Sequence, residues 1–251
     1  MCYDNSLKVK ISKLVEAIPF PTKVQTDLVF EPTFHKIGMS YPLWPVVVDR
    51  NGPELHGFTW GPIPKMLNTE EKVKKRRKLY LNCRSEKILD PAAKIWYPIR
   101  GQRCLIPSTG FFEYREVPGQ KNKVCYTINQ GEDKVFFIAG LWAMSSSWNP
   151  EGPEKIPTFT LITREANPVL KQIHNAGENP GRMPLMLPDT MLDSWINPDL
   201  TDFQMQEILN YSMPAENLQY YPVNSVRKKH PDDESVIQPI DTTGIPPVIA
   251  V

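Results

Sequence analysis

The chain has 251 residues, 29 basic and 28 acidic, for a formal net charge of +1, with 41% hydrophobic and 23% charged residues. This is the composition of a folded domain long enough to bury a sizeable core. Balanced charge excludes a polybasic nucleic-acid tail and an acidic solvating chain, and leaves a local basic groove open.

No apolar run approaches the roughly 18 residues of a membrane helix, and Met-Cys-Tyr-Asp-Asn-Ser at the start does not read as a secretory signal. A cytoplasmic protein with no membrane partner is expected. Prolines number 26, about twice the usual share. Spread along the chain, they favour short strands and irregular connections over long helices.

In chain order, residues 41–48 and 55–60 read as extended, the second ending at Trp60. Gly61-Pro62-Ile63-Pro64 then forces a loop. Residues 69–80 read as a helix, capped by Asn68 or Thr69, with acids early and bases late. Its charge run, Glu70 to Lys78, fits either a solvated helix face or a basic surface near phosphates. Residues 103–106, 109–115, 123–129, 134–142 and 157–163 are rich in Phe, Ile, Val, Tyr and Thr and read as strands.

Residues 166–174, 189–196 and 201–211 have helical character, and Pro184–Leu187 and Leu218–Val223 are further strand candidates. From Arg227 the tail is polar, then proline-rich, and is expected to be wrapped on the surface or frayed. Mixed rather than alternating elements predict an α+β fold. It would be a single domain over 1–226 with a β-rich, mainly antiparallel, distorted barrel-like core, short peripheral helices and a tail over 227–251.

The cysteines are Cys2, Cys83, Cys104 and Cys125, with no Cys-x-x-Cys pair, and the four histidines form no ligand spacing. No metal and no cofactor are expected. The last three cysteines sit in apolar, strand-like surroundings and read as packing. Cys2 differs. Loss of Met1 leaves an α-amine with a pKa of about 7.7–8 beside a thiol of about 8.5. An amine and a thiol on one residue suit an aldehyde, which the amine takes as a Schiff base and the thiolate closes into a thiazolidine.

Three other segments carry chemistry-bearing groups. In Asn82-Cys83-Arg84-Ser85-Glu86, alternation puts Asn82, Arg84 and Glu86 on one face of a strand. They line a pocket or form a solvated edge. Glu113 is a lone acid in the aromatic run Gly110-Phe111-Phe112-Glu113-Tyr114, either a proton shuttle with a raised pKa or the partner of an arginine. His174 stands before a Gly- and Pro-containing loop that leads to Arg182-Met183-Pro184, where it is a packed histidine or a functional one.

Taken together, Met1-Cys2, Asn82-x-Arg84-x-Glu86, Pro107-x-x-Gly110-Phe111-Phe112-Glu113-Tyr114, and Thr163-x-x-Ala166-Asn167 with His174 and Arg182-Met183-Pro184 resemble the SRAP family, the SOS response-associated peptidases. Trp60-Gly61-Pro62-Ile63-Pro64 and Val223-Asn224-Ser225-Val226 are similar to two further family segments, and the matches span roughly residues 1–226.

The resemblance implies covalent shielding of abasic sites in single-stranded DNA. The mature N-terminal Cys2 would capture the ring-opened sugar as a thiazolidine, with a strand-cleaving lyase side reaction available through the Schiff base. It implies Glu113 and His174 as acid/base groups and Asn82 as a hydrogen-bonding group at the reacting centre. Arg84, Arg182 and Thr163 would contact phosphates, and Trp60 would be a wedge against a base. A monomer is expected, nucleoid-associated when it is bound to DNA. The family usually begins Met-Cys-Gly-Arg, so Tyr3 and Asp4 are departures, and the acid at position 4 is expected to weaken DNA contact. The alternative reading is a cysteine-type peptidase with autocatalytic removal of Met1, Cys2 being its thiolate and His174 its base. A third is a non-catalytic single-strand binder.

Overall fold

The computed structural model describes residues 2–146, 152, 154–228 and 233–249. The strands are β1 (Asp4–Leu7), β2 (Lys23–Val24), β3 (Thr33–Ile37), β4 (Leu43–Asp49), β5 (Pro53–Trp60), β6 (Asn82–Arg84) and β7 (Arg103–Ser108), then β8 (Gly110–Arg115), β9 (Val124–Asn129), β10 (Phe136–Met144), β11 (Pro157–Glu165), β12 (Arg182–Pro184), β13 (Met186–Leu187) and β14 (Gln219–Val223). The helices among the described residues are α1 (Ile11–Glu16), α2 (Glu70–Arg76), α3 (Pro168–Ile173), α4 (Asp189–Ile196) and α5 (Asp202–Leu209).

Two sheets form the body. One runs β14-β9-β8-β1-β3 and is antiparallel throughout. The other runs β12-β11-β10-β7-β4-β5-β2, with β13 on β10 and β6 on β11. A short parallel ladder of Thr158–Phe159 with Thr59–Trp60 brings β11 back to β5, so this sheet is ring-like without being a fully closed barrel. The fold is α+β, mostly sheet with short helices, as the mixed pattern of elements predicts.

Three tryptophans fill the ring and its cover, each 1% exposed or less. Each donates its indole N–H to a backbone carbonyl: Trp44 to Pro107, Trp60 to Leu81 and Trp195 to Cys104. A buried ring with a polar edge needs that partner. The helices end where local chemistry ends them. Thr69 caps α2, Asn167 caps α3 with Pro168 at its first position, and Thr201 and Gln204 form a capping box on α5. Buried Arg103 donates to the carbonyls of Trp195 and Asn197, neutralising the negative end of α4.

The two sheets meet where β7 runs into β8 through the single residue Thr109. There the Ser108 hydroxyl donates to Asn5 Oδ1 at 2.5 Å, and the Thr109 N–H donates to the Ser6 carbonyl at 2.9 Å. The Lys8 N–H donates to Thr109 Oγ1 at 3.0 Å. This polar knot explains why β1 is a strand although Asp-Asn-Ser are poor strand formers. All four β1 residues are buried; the corner satisfies Asn5 Oδ1 and the Ser6 hydroxyl, and His35 on β3 satisfies Asp4.

The chain beginning is therefore a central strand, which the composition does not announce, and β3 beside it is likewise unannounced. The strands over 103–144 and 157–165 and the helix over 189–196 lie where the pattern puts them, within a few residues. In the charge run most side chains are exposed, but Arg77 is buried, stacked on Tyr41 with its Nε–H donating to the Gly61 carbonyl at 2.8 Å. Tail residues 233–249 lie against the body. Val236 is buried, Pro239 bridges to Val223, Arg115 donates to the Pro246 carbonyl, and Gln172 exchanges two hydrogen bonds with Ile249.

Gly140 lies at the crowded centre of β10. A Cβ there would meet Ile106 Cδ1 at 2.5 Å, the Thr160 carbonyl at 2.8 Å and Cys104 Sγ at 2.9 Å. Two of those neighbours are backbone or short side chain and cannot swing away. Gly140→Ala is expected to lower stability by about 1–3 kcal/mol, read as a lower urea midpoint with an unchanged slope. An unchanged midpoint would mean that β7 and β11 can separate at this point.

Candidate active site

Pairing of β1 with β8, Asp4 opposite Phe112 and Ser6 opposite Gly110, runs the chain start back along β8. That brings Cys2 beside Glu113. The thiol donates to Glu113 Oε1 at 3.0 Å, and the pair is almost wholly buried, Cys2 2% and Glu113 5% exposed. The other carboxylate oxygen, Oε2, lies 3.9 Å from His174 Nε2. Three groups from three parts of the chain thus form one line, thiol to carboxylate to imidazole. Burial, and next the Glu113 charge, push the Cys2 thiol pKa well up. Burial pulls the His174 pKa down, with Glu113 opposing. At neutral pH the thiol keeps its proton and the ring is predominantly neutral.

His174 closes the C-terminal end of α3. Its Nδ1 lies 3.0 Å from the Arg182 carbonyl oxygen and 3.2 Å from the Arg182 N–H. The carbonyl accepts from Nδ1 when that atom carries the proton, and the N–H donates to it when it does not. Either neutral tautomer has a partner without the ring turning, so a proton on Nε2, the atom facing Glu113, can come and go. The loop between them closes on itself, the Gly181 N–H donating to the His174 carbonyl at 2.7 Å. Asn175 is pinned by two hydrogen bonds with the backbone of Glu116.

An open cavity of about 680 Å³ reaches Glu113 and His174 of this line, and Tyr3, Tyr114, Lys123, the loop residues 176–179, Ser225 and Arg227 also wall it. Tyr3 is half-buried there, and burial followed by the Glu178 charge raises its phenol pKa. Asp4 does not face the cavity. It is 2% exposed in β1, bonded to His35 Nε2 at 2.8 Å, with Arg227 Nη2 at 3.9 Å from its other oxygen. The acid at position 4 is therefore paired inside the protein and is not turned toward the cavity.

Cys2, Glu113 and His174 come together as the motifs imply. Asn82 sits in β6, 8% exposed, with both atoms of its amide buried and without a hydrogen-bond partner. Arg84 is half-exposed. Arg182 is only 7% exposed, and its fork is engaged by Glu86 (2.5 and 2.9 Å) and by the Thr163 carbonyl. Thr163 is fully buried, its hydroxyl directed to the Cys83 carbonyl at 3.4 Å, so it offers no phosphate contact at the surface.

Trp60 is 1% exposed, stacked on Phe159 and covered by Gly38, whose added Cβ would fall 3.0 Å from the ring. It belongs to the core, which corrects the reading of it as a base wedge. Cys83, Cys104 and Cys125 are buried free thiols, as their surroundings predict. Among the described residues no group of three or more His, Cys, Asp or Glu side chains is placed to hold a metal. Lys123, Glu178, Ser225 and Arg227 were not singled out as site residues. The readable signal for Arg227 was the apolar Val226 before it, which fixes the chain there.

The family model of the SOS response associated peptidases (SRAP) matches residues 1–229. The chain belongs to the SRAP family. Among its relatives is the abasic site processing protein YoqW of Bacillus subtilis, 28% identical over 198 residues, 78% of this chain and 81% of YoqW. Another is the abasic site processing protein HMCES of Gallus gallus, 27% identical over 200 residues, 71% of this chain and 56% of HMCES. A solved protein from Bacteroides thetaiotaomicron superposes with a TM-score of 0.79 at 28% identity, over 95% of this chain and 100% of that one.

Outside the line of three, one pair reports on acid stability. Burial alone would raise the Glu86 pKa, but the Arg182 fork outweighs it and holds the carboxyl at about 2. A pKa lowered on folding from 4.5 gives stability that is present above 4.5 and lost as pH falls toward about 2. Glu86 is half-exposed, and screening keeps its share to about 1 kcal/mol or less. The melting temperature of Glu86→Gln is expected to fall less steeply than that of the wild type across this window. Parallel curves would remove the pair from the acid response.

Proposed function

We propose that this SRAP protein captures abasic sites in single-stranded DNA covalently, through a thiazolidine formed on Cys2 after Met1 is removed. The observation that carries the reading is the Cys2 thiol donating to the buried Glu113 carboxylate beside His174, at the floor of an open cavity. Relatives named as abasic site processing proteins support it.

The steps follow from these groups. Removal of Met1 leaves the α-amine on Cys2, next to Glu113. The neutral amine adds to the aldehyde carbon of the ring-opened sugar, and the carbinolamine loses water to give the imine. His174 Nε2 or the Glu113 acid supplies the proton that leaves with that water. The thiol, still protonated because burial raises its pKa, then gives its proton to the carboxylate it already touches. The sulfur adds to the imine carbon, the imine nitrogen takes up a proton, and the ring closes. A thiol that ionises only in this last step favours amine-first attack. A retained imine would also permit β-elimination, a strand-cleaving side reaction.

The geometry is less suited to general proteolysis. A Cys–His protease needs its thiol ionised by the imidazole. Here the thiol is bound to a carboxylate, which opposes ionisation. In this reading the protein works as a monomer in the cytoplasm, wherever single-stranded DNA is exposed.

The test is intact mass before and after incubation with single-stranded DNA carrying one abasic site. The expected result is loss of the Met1 mass and a denaturation-resistant adduct in the wild type, with none in Cys2→Ala. Glu113→Gln is expected to form the adduct about 10²-fold more slowly. An adduct that persists in Cys2→Ala, or a wild type that keeps Met1 in a competent host, would overturn the reading.

A further inference from the structure

Two of the arginines that motif resemblance assigns to phosphate are drawn to Glu86. Arg182 is forked on it, and Arg84 Nε lies 3.8 Å from it. The cations that wall the cavity at Glu113 and His174 are instead Lys123 and Arg227. Lys123 is 3.8 Å from the Glu116 carboxylate. Arg227 is held differently, by three contacts that fix its place and leave its outer edge open.

The residue before it, Val226, is fully buried in a small core with Phe112, Cys125, Val223 and Val236. The guanidinium carbon stands 4.6 Å from the centre of the Tyr114 ring, and the Tyr114 hydroxyl in turn contacts Ser225 Oγ at 3.3 Å. One terminal nitrogen lies 3.9 Å from the buried Asp4 carboxylate. That distance exceeds a direct hydrogen bond, and Asp4 already has His35 at 2.8 Å. Asp4 therefore orients the guanidinium by charge without taking up its donors. The side chain remains 53% exposed.

A guanidinium stacked on a ring presents its N–H edge sideways, and the groups that match such an edge are phosphate and carboxylate oxygens. We infer that Arg227 binds a DNA phosphodiester next to the abasic sugar, with buried Asp4 and the Tyr114 face as the residues that position it. This inference rests on the capture reading and adds a phosphate contact from the segment that follows β14. Arg227 is a binding residue, and the acid at position 4 serves DNA contact by steering it. Glu178 on the facing loop gives the cavity an opposing charge, which confines the phosphate to the Arg227 side.

The test uses single-stranded DNA carrying a tetrahydrofuran abasic analogue, which has no aldehyde and cannot crosslink. Binding is followed by fluorescence anisotropy across a salt series for the wild type, Arg227→Ala and Arg227→Lys. Loss of one phosphate contact is expected to weaken Arg227→Ala by about tenfold at low salt and to reduce the slope of log K against log salt by about one unit. Arg227→Lys keeps the charge beside Asp4 and is expected to retain the slope. A general loosening of the fold would lower both variants' melting temperatures without a change of slope confined to the alanine variant.

An unchanged slope and affinity in Arg227→Ala overturns the assignment. A wild type that forms the Cys2 adduct with true abasic DNA while Arg227→Ala binds the analogue normally sinks the Arg227 inference alone. A wild type that forms no adduct sinks the capture reading, whatever Arg227 does.

Discussion

Everything at the site depends on the antiparallel ladder between Asp4–Ser6 and Gly110–Phe112. A chain beginning is ordinarily free to fray. Here it is a central strand with a neighbour on each side, and its polar side chains are tied into the corner at Ser108 and Thr109. Each such hydrogen bond is worth only about 1 kcal/mol net, but leaving one unmade in the interior costs more. The knot therefore acts as a register lock. A slip by one residue would break the Ser108–Asn5 hydrogen bond and carry Cys2 away from Glu113.

That lock allows chemistry to be buried. A thiol, a carboxylate and an imidazole from residues 2, 113 and 174 meet with almost no exposure. Burial suppresses the charged forms of the thiol and the ring. The resting state is thus one in which the sulfur is quiet. A reactive thiolate at a chain terminus would be open to oxidants and to unrelated electrophiles. In the capture reading proposed above, holding the proton on sulfur until the imine forms would add selectivity by order of events to selectivity by shape.

The sequence pattern made the β7–β11 half of the fold legible because those strands are runs of Phe, Ile, Val and Tyr with clear breaks. It did not show β1, since Asp-Asn-Ser takes its strand conformation from partners a hundred residues away rather than from propensity. Cys2, Glu113 and His174 were legible through motif and chemistry together. The wedge role of Trp60 came from the resemblance alone, and the local sequence does not say whether an aromatic before a Gly-Pro loop faces in or out. Only the packing of Gly38 and Phe159 about it shows a core ring. The burial of Asp4 was not legible either, since a lone acid in sequence gives no hint of the histidine 31 positions away that pairs with it.

The loop between His174 and Arg182 leaves and re-enters the body at one point, because the Gly181 N–H binds the carbonyl of the very residue from which the loop departs. Four of its seven residues, 176–179, form part of the cavity wall, while the imidazole is held by the Arg182 backbone. Wall and base are mechanically separate parts. The loop can be lengthened, shortened or recharged, and so retuned for a different lesion geometry or flanking strand, while the proton-handling groups beneath it keep their places.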